Sequence, residues 1–107
     1  MTTFDEREAA FERKFVLDEE QAFRAVARRN RLLGEWVAQK LGKTGDDAVT
    51  YARSVVQADL AEAGHEDVFR KVRADLDAAG IDVSDAELRH LMGELLGQAS
   101  VEIAEGL

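Results

Sequence analysis

The sequence predicts an all-α four-helix bundle whose long first helix has an N-terminal part that is mobile or disordered when free. Three observations lead there. The 107 residues include no proline, and they are rich in Ala, Leu, Glu and Arg, the residues that cost least in a helix. Glycines serve as punctuation: Gly42 and Gly45 flank one turn, and Gly64 and Gly80 each sit just past a periodic stretch, where helices favour a left-handed residue. Apolar residues recur at helical spacing, with no strand-like alternation and no internal repeat.

These signals place helices over residues 4–41, 46–63, 66–79 and 84–105. The last start is the best signed, because Ser84 and Glu87 form a capping box and Val83 and Leu88 occupy the staple positions. Asp46 is the expected cap of the second helix. The core stripes read Val49, Ala52, Val56 and Leu60, then Phe69, Val72 and Leu76, then Leu88, Leu91, Leu95 and Ala99. Short loops between them fit a bundle.

Composition narrows the function classes. A hydrophobic fraction of 46% supports a core, so disorder throughout is not expected. There is no cysteine, which removes disulfides, thiol nucleophiles and thiolate metal sites, and fits a reducing, cytoplasmic setting. The N-terminus is charged, unlike a signal peptide, and no apolar run is long enough to cross a bilayer, so direct membrane insertion is not expected. A net charge of −8 opposes nucleic acid and anionic lipid over most of the surface.

The first helix is too long for the bundle. Its 38 residues would extend ~55 Å, against ~20–27 Å for the second and third helices. About half must overhang or lack stability alone. Phe4, Phe11 and Phe15 fall within about 40° of one another on a helical wheel, in line with Ala22, Val26, Leu33 and Val37. Asp18 can cap a second start, with Gln21 completing a capping box. This divides the chain into an N-terminal segment, 1–17, and a bundle domain, 18–107.

Charge pairing supports that division. Glu8 and Glu12 stand four apart and repel, while Arg7, Arg13 and Lys14 find almost no acidic mate within the segment. The exception is Lys14 with Asp18. Phe4, Asp5, Arg7, Glu8, Phe11, Glu12, Lys14 and Phe15 are therefore the candidate partner-binding residues. Burying three phenylalanines returns roughly 5–9 kcal/mol, against about 1–2 kcal/mol per residue for ordering the backbone. Folding onto a partner groove suits these magnitudes.

The stretches "TTFDEREAAFERKF", "ARRNRLLGEW" and "AGHEDVFRKV" resemble the zeta subunit of alphaproteobacterial F-type ATP synthase, an inhibitor of ATP hydrolysis. The similarity runs in order along essentially the whole chain. It implies a four-helix protein whose N-terminal segment inserts as a helix into an α/β catalytic interface near the rotor stalk. Hydrolysis is then blocked while synthesis is largely permitted. The implied partners are the α, β and γ subunits of the synthase head, on the cytoplasmic side of a membrane-bound complex. The free protein is expected to be monomeric.

Other signals carry less. "GKT" at Gly42–Thr44 lacks the first glycine of a phosphate loop and follows a helix, so it reads as a turn. Asp75, Asp77 and Gly80 match three calcium-loop positions, but Ala79 and Ala86 stand where oxygen ligands are required. His65 and His90 lack metal-ligand spacing, and no nucleophile, base and orienting group converge. Neither a metal nor enzyme activity is expected. Arg24, Arg28 and Arg31 share one helical face. A solvated face supported by an Arg31–Glu35 pair is the simpler reading, and weak ATP or ADP binding there is the alternative. Arg29 and Asn30 flank the core stripe and are expected to hydrogen-bond within the bundle. Gly93 and Gly97 suggest close helix packing or a partner surface. The competing functions are a nucleotide-responsive module and a general protein-interaction module that self-associates through its aromatic stripe.

Overall fold

The computed structural model describes residues 17–61 and 65–106. Among them it forms four α-helices: α1 (Glu19–Lys40), α2 (Gly45–Ala61), α3 (His65–Ala78) and α4 (Asp85–Ala104). The expected helical stretch 4–16, the segment boundary and the Phe4, Phe11 and Phe15 stripe lie outside the described residues.

Local chemistry sets the helix ends. At α1, the Gln21 N–H donates to the Asp18 carboxylate at 2.7 Å, and the Asp18 N–H donates to Gln21 Oε1 at 3.2 Å. Glu19 and Glu20 fill the first turn, where carboxylates face the positive end of the helix dipole. Ser84 and Glu87 make the same reciprocal pair at α4, with Val83 packed on the cluster that buries Leu88. The ends of α1 and α3 follow one pattern. Gly42 and Gly80 adopt φ of 77° and 70°. The next residue's N–H then returns to the last turn, Lys43 to the Ala38 carbonyl and Ile81 to the Leu76 carbonyl, each at 2.9 Å. This is the Schellman arrangement, which glycine adopts without a Cβ penalty.

One expected cap is corrected. Asp46 lies inside the first turn of α2 rather than before it. The helix starts a residue earlier, at Gly45, whose φ of 55° makes the bend after Thr44 open to glycine and costly for other residues.

α1 is the spine, packed mainly against α2 and α4, while α3 covers α2 and touches the other two more lightly. Leu33, Val37, Val55, Val68, Val72, Leu76 and Leu88 are fully buried at the centre. Phe69, Val72, Leu76, Leu88 and Ala99 thus fill core positions as expected, and Met92 joins them. In α2 the expected stripe is displaced. Tyr51, Ala52 and Val55 face inward, whereas Val49 is 51% exposed and Val56 half-buried. Both flanks of α2 are apolar, and the approach of α1 decides which is covered. Leu60's side chain lies outside the described part. Ala22, expected on the α1 core stripe, is exposed, and Val26 is half-buried. The first turns of α1 project past their neighbours.

Gly34 fixes that approach. A Cβ there would stand 2.6 Å from the Ala52 Cα, so the two helices cross closer than any side chain at position 34 permits. Gly34→Ala should cost about 1–3 kcal/mol by forcing the helices apart. For a domain of this size that lowers the melting temperature by several degrees, which calorimetry reads directly. Gly93 is different: nothing lies within 4 Å of an added Cβ, so the expected close packing at this position is not formed.

Candidate functional site

The charged residues of α1 divide among three tasks. Arg29 and Asn30 are buried, at 2% and 0% exposure. Arg29 Nε donates to Asn30 Oδ1 at 2.8 Å, so both serve the bundle interior as expected. Burial pulls the Arg29 pKa below its usual value, opposed by the field of Asp59. The amide nitrogen of Asn30 is buried without a partner among the described residues.

Arg24, Arg28 and Arg31 do not converge on one site. Arg28 Nε donates to Glu102 of α4 at 2.7 Å, tying the first helix to the last. Arg31, on the same face, lines an open cleft between α1 and α2 while its charge still reaches Glu102, and Arg24 is exposed. The expected Arg31–Glu35 ion pair is not formed. A shared anion site on this face would need Arg28 to leave Glu102.

The Arg28 bond, and then that from Gln98, holds the Glu102 carboxyl below the ordinary carboxylate pKa. A depressed folded-state pKa gives stability that is complete above the unfolded value and lost as pH falls through the folded one. Glu102→Gln should therefore lower the melting temperature at neutral pH. The difference from the parent should vanish in acid, well below the usual carboxylate pKa of about 4.3. Melting curves at the two pH values check this.

Between α2 and α3 the Tyr51 hydroxyl donates to Asp75 Oδ2 at 2.7 Å, and Lys71 Nζ donates to the same oxygen at 2.9 Å. Burial first, and then the bond to Asp75, pushes the phenol well above its normal pKa. Tyr51 is a brace between helices. Arg73 closes the α3–α4 loop, pairing with Asp77 at 2.8 Å and Asp85 at 3.1 Å. Arg89 reaches from α4 to Glu66 at 2.9 Å and lies 3.9 Å from the Phe69 ring centroid. Among the described residues no group of three or more His, Asp and Glu is placed to hold a metal. Asp75 and Asp77 are committed to Tyr51, Lys71 and Arg73 instead.

Two surface features were not foreseen. Phe23, one turn into α1, is 63% exposed. The α1–α2 cleft encloses about 890 Å³, with Ala52, Val49 and Val56 along α2 and Arg31, Glu35 and Arg53 at its sides. The candidate partner-binding residues Phe4, Asp5, Arg7, Glu8, Phe11, Glu12, Lys14 and Phe15 all lie outside the described residues. What the structure gives of that site is its junction: a helix that starts with a complete cap at Asp18.

Such a fold is a small helical protein whose chemistry lies in its surfaces. The family model described as "ATPase inhibitor subunit zeta" matches residues 1–102. The chain belongs to this family of ATPase inhibitor subunits, which makes it an inhibitory rather than a catalytic component associated with the ATP synthase. It is also similar to a chain titled "Solution NMR structure of the protein", with 49% identity and a TM-score of 0.68. That similarity covers 79% of this chain and 96% of the other. No curated protein matches. No described helix is long and apolar enough to cross a membrane.

Proposed function

We propose that the protein blocks ATP hydrolysis by inserting residues 1–17 as a helix into an α/β catalytic interface of the synthase head, near the rotor stalk, while bundle 18–107 stays outside. Phe4, Phe11 and Phe15 would fill the groove, with Asp5, Arg7, Glu8, Glu12 and Lys14 pairing along its rim. The observation that carries this reading is the reciprocal cap at Asp18 and Gln21. It lets the bundle's first helix begin without help from the residues before it, leaving those residues available to a host. The family match includes the same stretch.

The head subunits implied as partners are α, β and γ, on the cytoplasmic side of the membrane. Titrating the intact protein into purified synthase heads should give a saturating fall in ATP hydrolysis. Unchanged hydrolysis at saturating protein would sink the proposal. The nucleotide-module reading gains nothing from the geometry, since Arg28 is engaged by Glu102. It predicts NMR shifts at Arg24, Arg28 and Arg31 on adding ATP, where the inhibitor reading requires none.

A further inference from the structure

The α1–α2 cleft is lined by those two helices and the turn between them alone, so among the described residues no third helix lies in it. Gly34 draws α1 and α2 together at Ala52, which closes the floor of the groove against the core. Val49 and Val56 stand on that floor with Ala52 between them, seven residues or two turns apart, ~10.5 Å. Val49 is 51% exposed, an apolar residue that the bundle leaves to water.

Charge narrows what can cover it. Arg31 stands on the α1 wall and Arg53 on the α2 wall, against the single acid Glu35. Lys43 borders the far end, but its ammonium leans over the Tyr51 ring. Arg31 adds to the field on Glu102, yet neither arginine is in an ion pair among the described residues. In a chain of net charge −8 this groove is locally basic. A small anion would satisfy the arginines and leave the valines wet. A helix with one apolar stripe and carboxylates along its flanks satisfies both.

We propose that the cleft is a docking groove for an acidic, apolar-faced helix of the synthase, a second contact made by the bundle itself. The partner rests on the family's association with the synthase, and only the effect on hydrolysis rests on the inhibitory reading. Arg31 lies thirteen residues past Asp18, ~20 Å along α1, so the host helix stands about that far from where residues 1–17 enter. The walls run from Arg31 to Gln39 on α1 and from Val49 to Gln57 on α2, each ~12 Å, or about two turns of a partner. Apolar residues of the partner at i, i+3 and i+7 meet Val49, Ala52 and Val56, and its flanking carboxylates face Arg31 and Arg53. Glu35 follows Arg31 by one turn on the same wall, so the partner residue opposite it is neutral or basic. Once the segment is inserted, this docking is intramolecular, and a weak contact suffices.

A photoreactive phenylalanine analogue in place of Val49, in otherwise intact protein, tests the groove. Irradiation with inhibited synthase heads should give an adduct to a head subunit, which digestion and mass spectrometry place in a helical stretch rich in Asp and Glu. Arg53→Glu should remove most of that adduct. By itself it should weaken inhibition roughly three- to thirtyfold, because an attraction is exchanged for a repulsion, and the deficit should shrink as salt is raised. Arg53 is exposed, so the melting temperature should not move, and Arg53→Lys should inhibit like the parent. Full inhibition without a Val49 adduct overturns the proposal and leaves the inhibitory reading standing. So does an adduct to a neutral or basic stretch, to a second copy, or to the protein's own chain. Arg53→Glu that changes neither adduct nor inhibition overturns it as well. An adduct to an acidic helix with hydrolysis unchanged supports the docking and overturns the inhibitory reading, and the absence of both adduct and inhibition overturns both.

Discussion

Removing residues 1–17 is expected to leave a chain that keeps its helicity and melts cooperatively, yet no longer inhibits ATP hydrolysis. The physical reason is local. The buried residues of α1 begin at Ala25, so the first six residues of the helix add no core, and the segment ahead of them is not needed to cover it. Asp18 still accepts from the Gln21 N–H, because both groups lie in the retained chain. Such a cap contributes about 1 kcal/mol to a helix start. Circular dichroism, calorimetry and a hydrolysis assay on the same sample check both halves. A molten truncated chain, or one that inhibits fully, would contradict the division into segment and bundle.

Phe11→Ala and Phe15→Ala should each weaken inhibition roughly ten- to a thousandfold while hardly moving the melting temperature of the free protein. Truncating a fully buried aromatic costs about 3–5 kcal/mol, and each ~1.4 kcal/mol is tenfold in affinity. Partial burial accounts for the lower end. Phe4 should matter less, because a terminal turn has few contacts beyond it. Leu17 is the control. It lies about 140° from the centre of the phenylalanine stripe on the wheel and is half-buried at the start of the bundle, so its truncation should cost stability more than inhibition. Inhibition that merely follows the folded fraction after Phe11→Ala would place the aromatic stripe in the core.

How much of this was legible depended on the range of the interaction. Both capping boxes were readable because Asp18–Gln21 and Ser84–Glu87 are three residues apart and chemically explicit. The core positions of α3 and α4 were readable because each helix has one dominant apolar face. In α2 the same rule misplaced the core, since Tyr51 and Val55 on one flank compete with Val49 and Val56 on the other. The deciding contact, Gly34 against Ala52, joins residues on different helices. The Arg28–Glu102 bond spans 74 positions, so helical spacing could group Arg28 with Arg24 and Arg31 but could not show that it turns toward α4. Aromatic stripe and charge pairing singled out the segment at 1–17, and its host is named through the family.

The claim on which the account turns is that this segment enters a catalytic interface. A photoreactive phenylalanine analogue at position 15, in otherwise intact protein, tests it directly. Irradiation with synthase heads that are hydrolysing ATP should yield covalent adducts with both α and β subunits, and their yield should follow the loss of hydrolysis. Full inhibition with adducts only to other subunits, or only within the protein's own bundle, would contradict it.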